Sequence, residues 1–278
     1  MINYLVDTSW QLYRGGFALQ NVYQEFPELH FLCKKLESLL SRKDAIIYLC
    51  LDGSSVKGKR LLGDQYKAGR RPEGSYNVYE GLPTFIHLLH NDRIKVCFNN
   101  NYESDEIIFT LSRTLEGRKK ILSGDKDLLQ ALSKDVVIDN GKSFPLTEES
   151  YKADYADKFF EIDPVKLPLF RAIAGDPSDS LKPPVIRFPR KFAAKLVNDI
   201  EYHGDVPTIE YLKSLLSKYS TSEKRWLEKL IEAYQPFSIN FDIMKLNVIE
   251  DSLNEYYNRK DVEISDFLKS KIERLNTL

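Results

Sequence analysis

Short apolar runs alternate with stretches of helical periodicity through the first half of the chain. Ile2–Val6, Ala45–Leu51, Ile94–Phe98 and Lys120–Ser123 each read as a strand, and Val136–Asp139 as a fifth. Between them, Val22–Leu40 carries apolar residues at helical spacing. Glu103–Leu115 sets Ile107, Ile108, Leu111 and Leu115 on one stripe, and a short helix runs through Leu132. Such alternation predicts an α/β fold, a mostly parallel central sheet flanked by helices. The second half changes character. Helices are expected over Pro164–Ala174, Pro189–Ile200, Thr208–Lys218, Glu223–Ala233, Leu253–Arg259 and Ile264–Leu275, and the strand signal is weak. A boundary near residue 150 therefore divides an α/β core, 1–150, from a helical region, 151–278. The prolines of Pro183–Pro189 are the clearest interruption in the latter.

Composition narrows this picture. Apolar residues make up 42% of 278, enough for a substantial core. No apolar run approaches the ~20 residues of a membrane span, and Met1-Ile2-Asn3-Tyr4 does not resemble a secretory leader. Cys33, Cys50 and Cys97 are widely spaced, which fits reduced thiols in a cytoplasmic protein and not a disulfide frame or a zinc site. The net charge of −1 argues against a polycation that coats DNA. Charge placement says more. Ser54–Pro72 holds six basic residues and one acid, while acids cluster elsewhere. A basic stripe beside an acidic pit can hold a polyanion and bring metal ions to it.

The acids follow the strands. Asp7 follows the first and Asp52 the second. Glu103-Ser104-Asp105-Glu106 follows the third, and Ser123-Gly124-Asp125-Lys126-Asp127 the fourth. In an open α/β sheet these positions open onto one crevice at the carboxyl ends of the strands. A lone Asp there is more often a helix cap or a turn residue. Glu103–Glu106 would also suit a helix's first turn, where the macrodipole favours acids. Four acidic strand ends out of four outweigh these separate readings. Gathered carboxylates repel one another unless cations relieve them, and an all-oxygen set suits Mg²⁺ or Mn²⁺. Glu103 and Asp105 reach one ion only if the helix starts about there, with Glu103 in the incoming turn. Gly175-Asp176-Pro177-Ser178-Asp179 is a fifth acidic element, by itself an ordinary turn.

Together these motifs resemble the 5′ nucleases: flap endonucleases, the 5′-nuclease domain of bacterial DNA polymerase I, and phage 5′→3′ exonucleases of the ribonuclease H type. The matching segments are Leu5-Val6-Asp7 with Tyr13-Arg14, Asp52, Tyr66-Lys67-Ala68-Gly69-Arg70, Glu103–Glu106, Ser123–Asp127 and Ala172–Asp179. They stand in the family's order from residue 2 to about 200, and Tyr256-Tyr257-Asn258 adds a looser likeness to the phage branch. The resemblance implies a PIN-like core and a two-metal-ion nuclease using two Mg²⁺, with Mn²⁺ as substitute. It assigns Asp7, Asp52, Glu103 and Asp105 to one ion, and Asp105, Asp125, Asp127, Asp176 and Asp179 to the other. Glu106 stands where many members have Asp and is a further candidate ligand. The basic stripe, about 54–75, corresponds to the family's arch. Lys67 and Arg70 would engage the scissile phosphate, and Tyr66 would stack on a base. Arg14, Lys57, Lys59, Arg60 and Arg71 would contact phosphates.

One element departs from the family. Its helix–hairpin–helix, expected about 164–200, has a glycine-rich hairpin that binds duplex phosphates and often potassium. Here Lys182–Lys191 carries prolines in place of the glycines. That speaks against a potassium site and leaves duplex contact to Arg187, Arg190, Lys191 and Lys195. The expected substrates are DNA and RNA–DNA duplexes with 5′ ends, flaps or nicks, as in removal of RNA primers during phage-type replication. A single-stranded-DNA-binding protein or sliding clamp is a family-level partner, and a monomer is expected. The alternatives are a branched-DNA-binding protein of the same fold that does not cut, and a PIN-type ribonuclease. The full carboxylate set counts against the first, and the basic stripe with Gly175–Asp179 against the second.

Overall fold

A computed structural model describes residues 1–53, 61, 63, 77–255 and 257–278, without the side chains of 156, 157 and 179. Among these residues the strands are β1 (Ile2–Asp7), β2 (Ala45–Cys50), β3 (Ile94–Cys97), β4 (Arg118–Leu122) and β5 (Val136–Asp139). They form one parallel sheet in the order β3-β2-β1-β4-β5. Parallel strands need crossovers, and helices supply them. α1 (Thr8–Leu19) and α2 (Pro27–Leu40) join β1 to β2. α3 (Leu82–Leu88) precedes β3, α4 (Ser104–Thr114) joins β3 to β4, and a 3-10 turn, Asp127–Ala131, leads towards β5. Side chains alternate across the sheet. Tyr4, Val6, Ile47 and Leu49 join a core with Leu29, Leu32 and Leu36 of α2, while Leu5, also fully buried, belongs to the other side. The strand order reverses beside β1, so the ends of β1 and β4 flank the crevice where ligands of such sheets bind.

The chain divides into two compact units. Among the described residues the first takes 1–53, 77–147 and Asn247–Leu278, and the second takes Leu61, Gly63 and Glu148–Leu246. The tail differs from the expected 151–278 region. Tyr257, Ile264, Leu268, Ile272 and Leu275 are buried in the core of the first unit, the last four on or beside α11 (Asp266–Thr277). Among the described residues of Leu253–Arg259 the expected helix is absent. The backbone of Leu253 and Glu255 instead bonds to Phe98 beyond β3, the edge strand. Val22–Leu40 is likewise shorter as a helix than its periodicity suggests. Pro27 occupies the first turn of α2, and Phe26 before it adopts a left-handed φ of 46°.

The second unit contains α5 (Glu148–Phe159), α6 (Leu167–Ala174), α7 (Arg190–Asp199), α8 (Ile209–Leu215), α9 (Thr221–Glu232) and α10 (Tyr234–Met244). α6 and α10 pack together, and buried Asn240 of α10 donates from Nδ2 to the carbonyls of Ala172 at 3.1 Å and Lys182 at 2.9 Å. No helix among the described residues is long and apolar enough to cross a membrane.

Candidate metal and nuclease centre

Asp7 ends β1 and caps α1, accepting from the Trp10 amide at 3.0 Å. Its other oxygen accepts from Ser123 Oγ at 2.6 Å, which bridges the ends of β1 and β4 at the reversal of strand order. Only 7% of Asp7 is exposed. Burial, with the charges of Asp52 and Asp125 nearby, pushes its carboxyl up to about 7, against the pull of the Ser123 hydroxyl and the Trp10 amide. Asp52, two residues past β2, accepts from Ser9 Oγ and from the Ser104 amide at 2.7 Å. That second bond ties the end of β2 to the start of α4.

α4 begins at Ser104, about where the sequence expects it. Glu103 is its N-cap, in extended conformation, and Asp105 lies in its first turn. Glu106, also a candidate ligand in the sequence, closes a capping box at the start of α4. Its Oε2 accepts from the Glu103 amide at 3.2 Å, and the residue is buried. Asp125 receives the Asp127 amide at 2.8 Å and donates its own amide to Ser123 Oγ at 3.0 Å. The outcome is a trio. One carboxylate oxygen from each of Asp105, Asp125 and Asp127 lies within 4.8 Å of the others. Three like charges at that spacing repel in the absence of a cation, and their oxygens are the donors a hard divalent ion prefers. The donor set therefore fits a hard divalent cation, and Asp7, raised first by its own burial, also feels the charges of Asp52 and Asp125.

Asp176 belongs to the second unit. Burial works against its charge, but the Arg171 guanidinium and the Ser178 hydrogen bonds outweigh that and hold its carboxyl below the usual range. The Asp179 side chain lies outside the described residues, as do Lys57, Lys59, Arg60, Tyr66, Lys67, Arg70 and Arg71. Arg14 is exposed on α1, with its guanidinium 5.2 Å from the Trp10 ring and close against Gly141. Arg187, Arg190, Lys191 and Lys195 are all exposed around the start of α7. Arg187 takes a left-handed φ of 61°, Arg190 lies over the Phe170 ring, and Lys195 is paired with Glu223 at 2.8 Å.

Sequence reasoning missed the residues that hold the carboxylates: Ser9, Trp10 through its amide, and Ser123. A Ser beside a strand-end Asp was the available signal, since hydroxyls at such positions bond locally to charged neighbours.

The first part of the chain, residues 3–159, matches the model of the 5′-3′ exonuclease N-terminal, resolvase-like domain. A 5′-3′ exonuclease of Aquifex aeolicus is 26% identical over 280 residues, covering 96% of this chain and 93% of that one. A DNA polymerase I of Bacillus caldotenax is 28% identical over 201 residues, covering 69% of this chain but 23% of the polymerase, so the chain spans about a quarter of that relative. Among solved structures, a T5 5′-exonuclease with divalent metal ions (zinc) bound superposes with a TM-score of 0.64 at 13% identity, over 99% of this chain and 100% of that one. A bacteriophage T5 flap endonuclease in a pseudo-enzyme–product complex with DNA and metal ions gives 0.63 at 14% identity, covering 100% of both. At such identities the likeness establishes the shared fold.

Proposed function

The chain belongs to the 5′-3′ exonuclease family, whose N-terminal domain it matches over more than half its length, and on that basis we propose that it is a divalent-cation-dependent 5′ nuclease acting on 5′ ends, flaps and nicks in DNA and RNA–DNA duplexes. The observation that carries this reading is the trio Asp105, Asp125 and Asp127, built beside buried Asp7 at the carboxyl ends of β1 and β4. In this reading Asp7, Asp52, Glu103 and Asp105 serve one Mg²⁺, and the trio serves a second. When bound, such ions activate water as Lewis acids and neutralise charge developing on the phosphodiester.

The chain's own residues have separate tasks. Ser123 and the Trp10 amide fix both oxygens of Asp7. Ser9 and the Ser104 amide fix both oxygens of Asp52. With those rotamers locked, the carboxylates are held in the geometry of the charged site before substrate arrives. Glu106 orders the start of α4 through its Oε2 and is a further candidate ligand. Lys67 and Arg70 meet the scissile phosphate, Arg14 a neighbouring one, and the basic residues at the start of α7 meet the duplex backbone without reading bases. A single-stranded-DNA-binding protein or a sliding clamp is the partner to test by co-purification.

The test is cleavage of a 5′-labelled flap and of a nicked RNA–DNA duplex, with Mg²⁺ or with EDTA. Cutting that requires Mg²⁺ is expected on both. Tight binding without cutting would overturn the enzyme reading in favour of a branched-DNA-binding protein. Asp125→Asn is expected to lower turnover by about 10²-fold or more while leaving flap affinity within a few-fold.

A further inference from the structure

The turn from Asn99 to Tyr102 leads into Glu103, the N-cap of α4, and Asp105, a member of the carboxylate trio. It leaves β3, the edge strand, whose outer side has no neighbouring strand of the sheet among the described residues. The C-terminal segment supplies partners there. Phe98 donates its amide to the Leu253 carbonyl at 2.6 Å, and Glu255 donates its amide to the Phe98 carbonyl at 3.0 Å. Side chains then take hold of the turn itself. Asn99 Nδ2 donates to the Ser252 carbonyl at 2.8 Å. Glu255 Oε2 accepts from the Asn100 amide at 2.8 Å, and Asp251 Oδ2 accepts from the Tyr102 hydroxyl at 2.7 Å. Further along, the Ile249 amide donates to Thr110 Oγ1 of α4 at 2.9 Å. On the inner side the Gly53 amide donates to the Tyr102 carbonyl at 2.9 Å. The turn is thus gripped from within by the end of β2 and from outside by the tail.

We propose that residues 249–255 form a clasp that positions the ligand-bearing turn, so that the C-terminal tail sets the protein's affinity for divalent cations without contributing a ligand. This rests on the reading of Glu103 and Asp105 as cation ligands. Asp251 and Glu255 are exposed and acidic, yet their carboxylates are spent on turn donors. A surface role would leave them in water. Without the clasp the turn has more conformations to lose when an ion binds, and the outer partners of metal ligands commonly set affinity in this way.

The experiment uses full-length variants and Mn²⁺ binding followed by electron paramagnetic resonance without substrate. Hydrogen exchange at amides 99–104 and the thermal midpoint are measured alongside. Asp251→Ala combined with Glu255→Ala is expected to weaken Mn²⁺ binding about tenfold and to speed exchange in the turn. Asp251→Asn combined with Glu255→Gln keeps the acceptor oxygens and restores both towards wild type. Thr84→Val is the control. It removes the bonds of Thr84 Oγ1 to the Val262 carbonyl and amide, at 2.7 and 2.9 Å, and so loosens the tail elsewhere. It is expected to lower the thermal midpoint with Mn²⁺ affinity unchanged. Wild-type Mn²⁺ affinity in the alanine pair, or an equal loss in Thr84→Val, overturns the clasp. Asp105→Asn separates the two readings: if it binds Mn²⁺ as wild type does, the ligand assignment itself is wrong and the clasp's metal role falls with it.

Discussion

Asp7 shows how one side chain can be both a structural cap and a member of a reactive centre. It caps α1 through the Trp10 amide, as a lone Asp after a strand ordinarily does. It is also buried among other carboxylates, and that raises its pKa to about 7. In the metal-free protein the folded state then holds a proton that the unfolded chain releases near its ordinary value of 3.8. The stability contributed by this group is full below about pH 4 and is lost as pH rises through about 7. Titrating the thermal midpoint in EDTA is expected to show that fall, with a span on the order of a few kcal/mol. Asp7→Asn removes this component of the profile, and Mg²⁺ restores the wild-type midpoint at pH 7–8. A midpoint with the same pH dependence in both proteins would show that Asp7 ionises normally. Gly53 makes a second, steric prediction. A Cβ there would meet the backbone of Asn100 at 2.8 Å and the Asn99 carbonyl more closely still. Neither is a flexible side chain, so Gly53→Ala is expected to cost about 1–3 kcal/mol by overpacking in denaturant unfolding.

At the scale of elements, the strands were legible in the sequence because each carries a short apolar stretch with an acid at its end or a few residues beyond, as with Asp7 at the end of β1 and Asp125 after β4. The start of α4 at Ser104 was reachable from Glu103 and Asp105, since only one placement lets both face the crevice. Other elements were hidden. α1 was not read as a helix because Gly15 and Gly16 sit inside it. Gly15 is required by the close approach of α2, where a Cβ would lie 2.6 Å from Phe31 Cβ. Leu253–Arg259 was misread as a helix because local spacing cannot reveal that a distant edge strand will take its backbone hydrogen bonds. The serines that hold Asp7 and Asp52 share this difficulty: their partners lie 116 and 43 residues away. The second unit offers a comparable long-range tie. Asn240→Ala strips donors from the carbonyls of Ala172 and Lys182 in a buried setting, with an expected loss of about 1–3 kcal/mol. Faster amide exchange from Ala172 to Lys182 would locate the loss at the turn between α6 and α7. Unchanged exchange there would refute that role for Asn240.

At the scale of the molecule, a net charge of −1 conceals separate acidic and basic clusters, and salt dependence tests whether they have separate tasks as proposed. The candidate metal centre is built from residues of the first unit: Asp7, Asp52, Glu103, Asp105, Asp125 and Asp127. The exposed cations at the start of α7 belong to the second. Prolines at 183, 184 and 189 remove three amide donors from 182–191, and in the proposed reading side-chain charge supplies the phosphate contact. Counterion release then governs the contact, and each phosphate neutralised adds about 0.9 to the slope of log affinity against log salt. The four cations are not equivalent. Lys195 already faces Glu223 at 2.8 Å and lies over Tyr219, whereas Lys191 has neither constraint among the described contacts. Arg190→Ala combined with Lys191→Ala is therefore expected to weaken flap binding and to lower the salt slope by about 1–2. Lys195→Ala changes it less, and neither changes Mn²⁺ affinity. Equal slopes in wild type and the double variant would mean that the duplex is held elsewhere on the chain.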